Sequence, residues 1–119
     1  MASWRRGKRQ EEVGPVYACQ WHLDIPYGRQ AEAVRIMTAW GRDKMAHSEF
    51  SRAKGTRLMV GHIGDSASHI IDEYLFETLA DFEAALAGMG QPVFKPHSDA
   101  LAPLIIPGTQ EWKVYRLIG

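Results

Sequence analysis

Apolar and polar positions along this chain repeat with two periods, and the order of those periods predicts a fold. Val16 to Ile25 is rich in Val, Tyr, Cys, Trp and Leu and ends at Pro26 and Gly28, which reads as a first strand. From Arg29 to about Arg52 there is no proline and apolar residues return at helical spacing. Ala33, Met37 and Trp40 make one stripe, with Val34, Gly41 and Met45 beside it. A long amphipathic helix closing near Gly55 follows from that pattern. Thr56 to Ile63 is a second strand, Gly64 to Ser68 a turn-forming cluster, and His69 to Glu77 a third strand completing a hairpin. Thr78 is placed to cap a second helix, with Asp81 at its third position and Phe82, Ala85, Leu86 and Met89 on its buried face. Gly88 and Gly90 end it. The mixed segment from Gln91 to Pro107 is expected to hold a short helix around Ser98 to Leu101, and Glu111 to Ile118 is the last strand.

The order β-α-β-β-α-β is that of the ferredoxin-like, split βαβ fold, an α+β class. Right-handed crossovers put both helices on one face of a four-stranded antiparallel sheet. Large apolar groups nevertheless occupy both side-chain phases of the strands: Tyr17, Cys19 and Trp21 against Val16 and Ala18, Ile70 and Tyr74 against Ile71 and Leu75, Val114 against Tyr115. A sheet with helices on one side and water on the other alternates more cleanly. The second face is therefore expected to meet another surface, and a second copy in a two-fold homodimer is the simplest candidate.

Composition narrows the picture. The 119 residues fit one domain, expected over residues 15–119, with residues 1–14 as a disordered basic tail. Fourteen basic residues balance fourteen acidic ones, so no net charge draws the chain to nucleic acid or an anionic membrane. No run approaches eighteen apolar residues, so no membrane span is expected. The single cysteine, Cys19, excludes an internal disulfide and points to a reducing, cytoplasmic setting. It shares a strand phase with Trp21 and Leu23, the position of a buried structural thiol.

Three stretches resemble a known group. The run from Glu73 to Leu86, an aromatic strand end leading into a capped helix, resembles the strand-to-helix junction of dimeric α+β barrel proteins. Pro92-Val93-Phe94-Lys95-Pro96-His97, followed by Ala100-Leu101-Ala102-Pro103-Leu104, is similar to a stretch of the antibiotic-biosynthesis monooxygenase branch. Gly61-His62-Ile63-Gly64 before the third strand resembles the NIPSNAP branch, and the EthD-like branch belongs to the same group. The resemblance covers about residues 15 to 118. It implies a homodimer whose eight strands close into one barrel, with a small-molecule pocket between sheet and helices. The group's activities include cofactor-free oxygenation, lactone isomerisation and haem degradation, so fold alone does not select one.

The candidate chemistry is sparse. His22 shares a phase with Gln20 and Asp24, while His69 opens the third strand with Asp72 and Glu73 close behind. The first and third strands are central neighbours in this topology, so Gln20 or His22 is expected near Asp72 or Tyr74. A histidine beside a carboxylate in a partly apolar pocket is suited to proton transfer near neutral pH. His22 and Asp72 are thus the candidate catalytic pair; a hydrogen bond inside the sheet or at a dimer seam is the structural alternative. Gln20, Tyr74, Phe76, His62 and His97 are the candidate pocket-lining residues. In haem-degrading members of the group the position resembling His97 ligates iron, but here Pro96 precedes it and the nearest amide on the first strand is Gln20. No H-x-x-x-H, H-E-x-x-H or H-x-H spacing is present, so neither metal nor cofactor is expected.

Three function classes follow. The first is a cofactor-free oxygenase or isomerase acting on an aromatic or polyene compound. The second is a module that binds such a compound without transforming it, and the third is a structural dimer.

Overall fold

The computed structural model describes residues 15–119; the basic tail expected over residues 1–14 lies outside them. Four strands, β1 (Tyr17–Asp24), β2 (Gly55–Val60), β3 (His69–Phe76) and β4 (Glu111–Arg116), form one antiparallel sheet in the order β2-β3-β1-β4. Helices α1 (Gln30–His47), α2 (Leu79–Ala87) and α3 (Lys95–Leu101) pack on one face. This is the ferredoxin-like α+β arrangement that the periodicities imply.

Alternation along the strands decides what each face carries. Cys19, Trp21 and Leu23 of β1 point to the helices with their register partners Tyr74, Asp72 and Ile70 of β3, and Phe76 of β3 lies on the same side. Two clusters fill that side. Trp21 and Leu23 pack with Ala33, Met37 and Trp40 of α1 and Leu101 of α3, while Cys19, Tyr74 and Phe76 pack with Phe50, Phe82 and Ala85. Trp21 meets Trp40 edge-on, with ring centroids 5.8 Å apart, and lies stacked on Trp112 of β4. The opposite face carries Ala18, Gln20, His22 and Asp24, with Ile71, Glu73 and Leu75 as their neighbours.

The helical segments depart from the sequence reading in two places. The helix expected to reach Arg52 stops at His47, and a 3-10 turn follows from Glu49 to Arg52. Ser48 sits between them in an extended conformation, its hydroxyl donating to the Lys44 carbonyl at 2.7 Å and accepting from Phe50 N–H at 3.2 Å. A serine that satisfies backbone groups locally competes with helix continuation. The segment after α2 is more helical than expected: a 3-10 turn Pro92–Phe94, then α3, then a 3-10 turn Ala102–Leu104. Pro96 does not interrupt it, because it lies in the first turn of α3, where its missing N–H is not needed. The predicted cap on α2 is present, with Asp81 N–H donating to Thr78 Oγ1 at 3.0 Å. Gly28 (φ +90°) turns the chain from β1 toward α1 in the left-handed region open to glycine.

Candidate functional site

A cavity of about 590 Å³ lies on the helix side of the sheet, between α1 and strands β2 and β3. Met37, Gly41 and Met45 of α1, Thr56 and Leu58 of β2, and Asp72 and Tyr74 of β3 line it. Exposed Thr38, Arg42 and Ala46 line it together with buried Met37, Asp72 and Tyr74, so it runs from the surface to the core. Its size suits one small organic molecule, and its walls are mostly apolar with few polar groups, the usual make-up of a ligand site.

The polar groups converge at its inner end. Asp72 is 5% exposed, and its carboxylate accepts from Lys44 Nζ at 3.3 Å. Lys44 is itself 1% exposed and stands over four aromatic rings, 4.6 Å from the centroid of Trp40 and 5.2–5.4 Å from those of Trp21, Phe50 and Tyr74. Burial pushes the Asp72 carboxyl above the usual carboxylate range, and Lys44 opposes the shift. Burial likewise draws the Lys44 ammonium below its ordinary value, with Asp72 opposing. Desolvation favours the uncharged form of each partner and mutual attraction the charged form.

Tyr74 completes the cluster. It is fully buried, and its hydroxyl makes no hydrogen bond, although Thr56 and Asp72 stand close enough to influence its ionisation. Burial, then the nearby Asp72 charge, raise its pKa, so it is held as a neutral phenol. An unmet buried hydroxyl is costly in a folded protein, and a ligand oxygen is one way to satisfy it. Gly41 leaves the space over it open: a Cβ there would lie 3.8 Å from Tyr74 Oη.

The expected pair does not form. His22 is opposite Ile71 in the β1–β3 register and Asp72 is opposite Trp21, so His22 and Asp72 lie on opposite faces of the sheet. The parity of the register is the reason: even positions of β1 share a face with odd positions of β3. Gln20 faces away from the cavity and donates to Glu73 at 2.9 Å. Phe76 belongs to the aromatic cluster with Phe50 and Phe82 and not to the cavity wall. His62 is exposed in the β2–β3 connection. His97, on α3, is stacked on Trp40, with its Nε2 2.6 Å from Asp43. Of the sequence candidates, Asp72 and Tyr74 line the cavity.

One partner escaped the sequence reading, although it left a signal there. Lys44 continues the stripe of Ala33, Met37 and Trp40, so a lysine on the buried face of α1 was visible at helical spacing. Gly41 was visible beside that stripe as a packing position and not as part of a site. On the other face, Asp24, His69, His22, Gln20, Glu73 and Arg57 form one hydrogen-bonded row. Among the described residues no group of three or more His, Cys, Asp or Glu side chains is placed to hold a metal ion, and no helix is long and apolar enough to cross a membrane.

No protein-family model and no curated sequence matches the chain. Solved structures do. A NIPSNAP family protein of unknown function from Agrobacterium tumefaciens superposes with a TM-score of 0.68 at 16% identity, over 88% of this chain and 89% of that one. An antibiotic-biosynthesis-monooxygenase-like protein from Caulobacter crescentus gives 0.65 at 11% identity, over 90% and 93%. SnoaB, a cofactor-independent oxygenase from Streptomyces nogalater, gives 0.54 at 20% identity, over 89% and 95%. This chain shares the ferredoxin-like α+β fold of these antibiotic-biosynthesis-monooxygenase-like and NIPSNAP structures.

Proposed function

We propose that the cavity between α1 and the β2–β3 edge binds an aromatic or polyene compound and that Asp72 takes a proton from it. The observation that carries this reading is the Tyr74 hydroxyl, buried and unpartnered at the cavity wall, beside a carboxyl raised by burial. A base with a raised pKa accepts a proton from a weakly acidic C–H or phenolic O–H more readily than an exposed carboxylate does. The neutral Tyr74 phenol donates to the oxygen on which the resulting charge gathers. Lys44 positions the carboxylate and balances its charge.

The enolate or phenolate so formed has two outcomes. Protonation at another carbon gives an isomer. Reaction of a CH2 centre with dioxygen gives a hydroperoxide that loses water to leave a carbonyl group. The resemblance in fold to a cofactor-independent oxygenase supports the second outcome. A second copy of the chain covering the helix-free face, as the resemblance implies, completes the assembly. Light scattering then reads about twice 13.4 kDa, and a monomer at micromolar concentration overturns that part.

Turnover on a panel of hydroxynaphthalenes and aryl ketones, followed by absorbance and oxygen consumption, tests the chemistry. Asp72→Asn should lower kcat by about 100-fold or more, the ordinary contribution of a general base, and Tyr74→Phe should lower it while the ligand still binds. Loss of turnover in His22→Ala with Asp72→Asn unaffected places the base on the other face and overturns the assignment. Saturable binding with no turnover makes the protein a ligand-holding module instead.

A further inference from the structure

The helix-free face carries a row of side chains whose donors and acceptors can be counted. Arg57 Nε donates to Glu73 Oε2 at 2.6 Å, which keeps Glu73 an acceptor. Gln20 Nε2 donates to Glu73 Oε1 at 2.9 Å, so Gln20 Oε1 is the atom turned to His22 Nε2, 2.8 Å away. His22 Nε2 must therefore carry a hydrogen. At the other end Asp24 Oδ1 accepts from His69 Nδ1 at 2.7 Å, so that nitrogen carries one too. Between them His22 Nδ1 and His69 Nε2 are 2.7 Å apart, a hydrogen-bond distance that needs one hydrogen. The two rings then hold three hydrogens on four nitrogens and one positive charge between them.

We propose that His22 and His69 share a single proton, and that this proton clamps the 61–68 connection and the start of β3 onto β1. Other protonation states break the row. With the proton gone, one of three contacts lacks its hydrogen: two lone pairs face each other between the rings, or His22 Nε2 faces the Gln20 oxygen bare, or His69 Nδ1 faces the Asp24 carboxylate bare. With a second proton, two N–H groups point at each other.

His22 is 6% exposed, and burial, the neighbouring His69 and Lys113 all lower its affinity for a proton, with Glu111 and Asp65 opposing. His69 has the Asp24 carboxylate against it. The charged groups around the pair are thus Asp24 on β1, Glu73 on β3, Arg57 on β2, Glu111 and Lys113 on β4, and Asp65 in the connection. The clamp reaches the connection through backbone bonds: Gly61 N–H to the His69 carbonyl at 2.9 Å, His69 N–H to Ser66 O at 3.0 Å, and Ile25 N–H to Ser68 O at 2.9 Å.

NMR of histidine-labelled protein across pH 5–9 tests this without any substitution. The expected result is one proton lost from the pair as a unit, with His22 Nε2 and His69 Nδ1 protonated on both sides of that midpoint. Asp24→Asn should move the midpoint down by about one pH unit or more, because it removes the opposite charge. After correction for intrinsic rates, the Gly61 and Ile25 amides should exchange several-fold faster above the midpoint than below it. Two rings titrating independently, each losing its own proton, overturn the sharing. Exchange at Gly61 and Ile25 that is equal on both sides of the midpoint overturns the clamp.

Discussion

Lys44→Met removes the cation from a pair that has almost no water to replace it. At 3.3 Å and an effective dielectric of about 20, the attraction lost is about 5 kcal/mol. Part of it returns because Lys44 no longer has to be desolvated. Breaking a buried pair from one side costs about 3–5 kcal/mol, a large share of the ~5–15 kcal/mol that stabilises an ordinary domain. The variant should fold at neutral pH with a deficit in that range. Its pH dependence is the sharper test. Burial raises the Asp72 carboxyl, and Lys44 is the cation that restrains the shift. Without Lys44 the folded-state pKa rises further above the unfolded value of about 3.9. A carboxyl raised in the folded state holds a proton that the unfolded chain gives up. Stability of the variant therefore falls as pH rises from the unfolded toward the folded pKa and recovers on acidification, by about 1.4 kcal/mol per pH unit in that window. In wild type the same loss is smaller, because Lys44 opposes the upward shift of the Asp72 carboxyl. Urea unfolding followed by tryptophan fluorescence at pH 4, 5.5 and 7 should show the deficit shrinking toward pH 4. A deficit equal at all three values, or larger at pH 4, refutes the reasoning. Lys44→Met with Asp72→Leu should regain most of the loss.

Three smaller tests bear on the fold. Thr78→Ala removes the cap hydrogen bond to Asp81 N–H and should cost about 1 kcal/mol by urea unfolding; no loss at all contradicts the cap. Gly61→Ala would put a Cβ 1.9 Å from the Ser66 carbonyl oxygen, so the connection must move, at a cost of about 1–3 kcal/mol read the same way. An unchanged unfolding midpoint counts against that close approach. The Cys19 thiol is fully buried, and burial followed by the Glu73 charge pushes it up to about 11, so it should resist a disulfide reagent at pH 8 until the protein unfolds. Native-state reaction at the rate of a free thiol contradicts this.

The fold was legible because its signals are local. The strand around Trp21 and Leu23, the Thr78 cap and the glycines after α2 each announce themselves within a few residues. The break at Ser48 was not, since serine is tolerated in a helix and only its bonds to Lys44 and Phe50 show that it ends one. The site was half legible. Asp72 and Tyr74 stood out as chemistry-bearing residues on a central strand, but nothing local fixes the register of two strands about 50 residues apart. A shift of one residue exchanges the faces, and that parity separates His22 from Asp72. It also unites His22 with His69 and Gln20 with Glu73, contacts between residues far apart in sequence. The two-sided apolar pattern was accurate for Ile71 and Leu75, yet the middle of that face is polar.

The central claim is that the cavity beside Asp72 and Tyr74 is where a small molecule acts. The most direct measurement is an amide NMR titration with 1-naphthol, comparing wild type with Gly41→Leu, whose side chain would fill the space over Tyr74. Saturable shifts at Gly41, Leu58, Asp72 and Tyr74 that disappear in Gly41→Leu are the predicted result. Shifts confined to Gln20, His22 and Glu73, or shifts at the cavity that persist unchanged in Gly41→Leu, would contradict it.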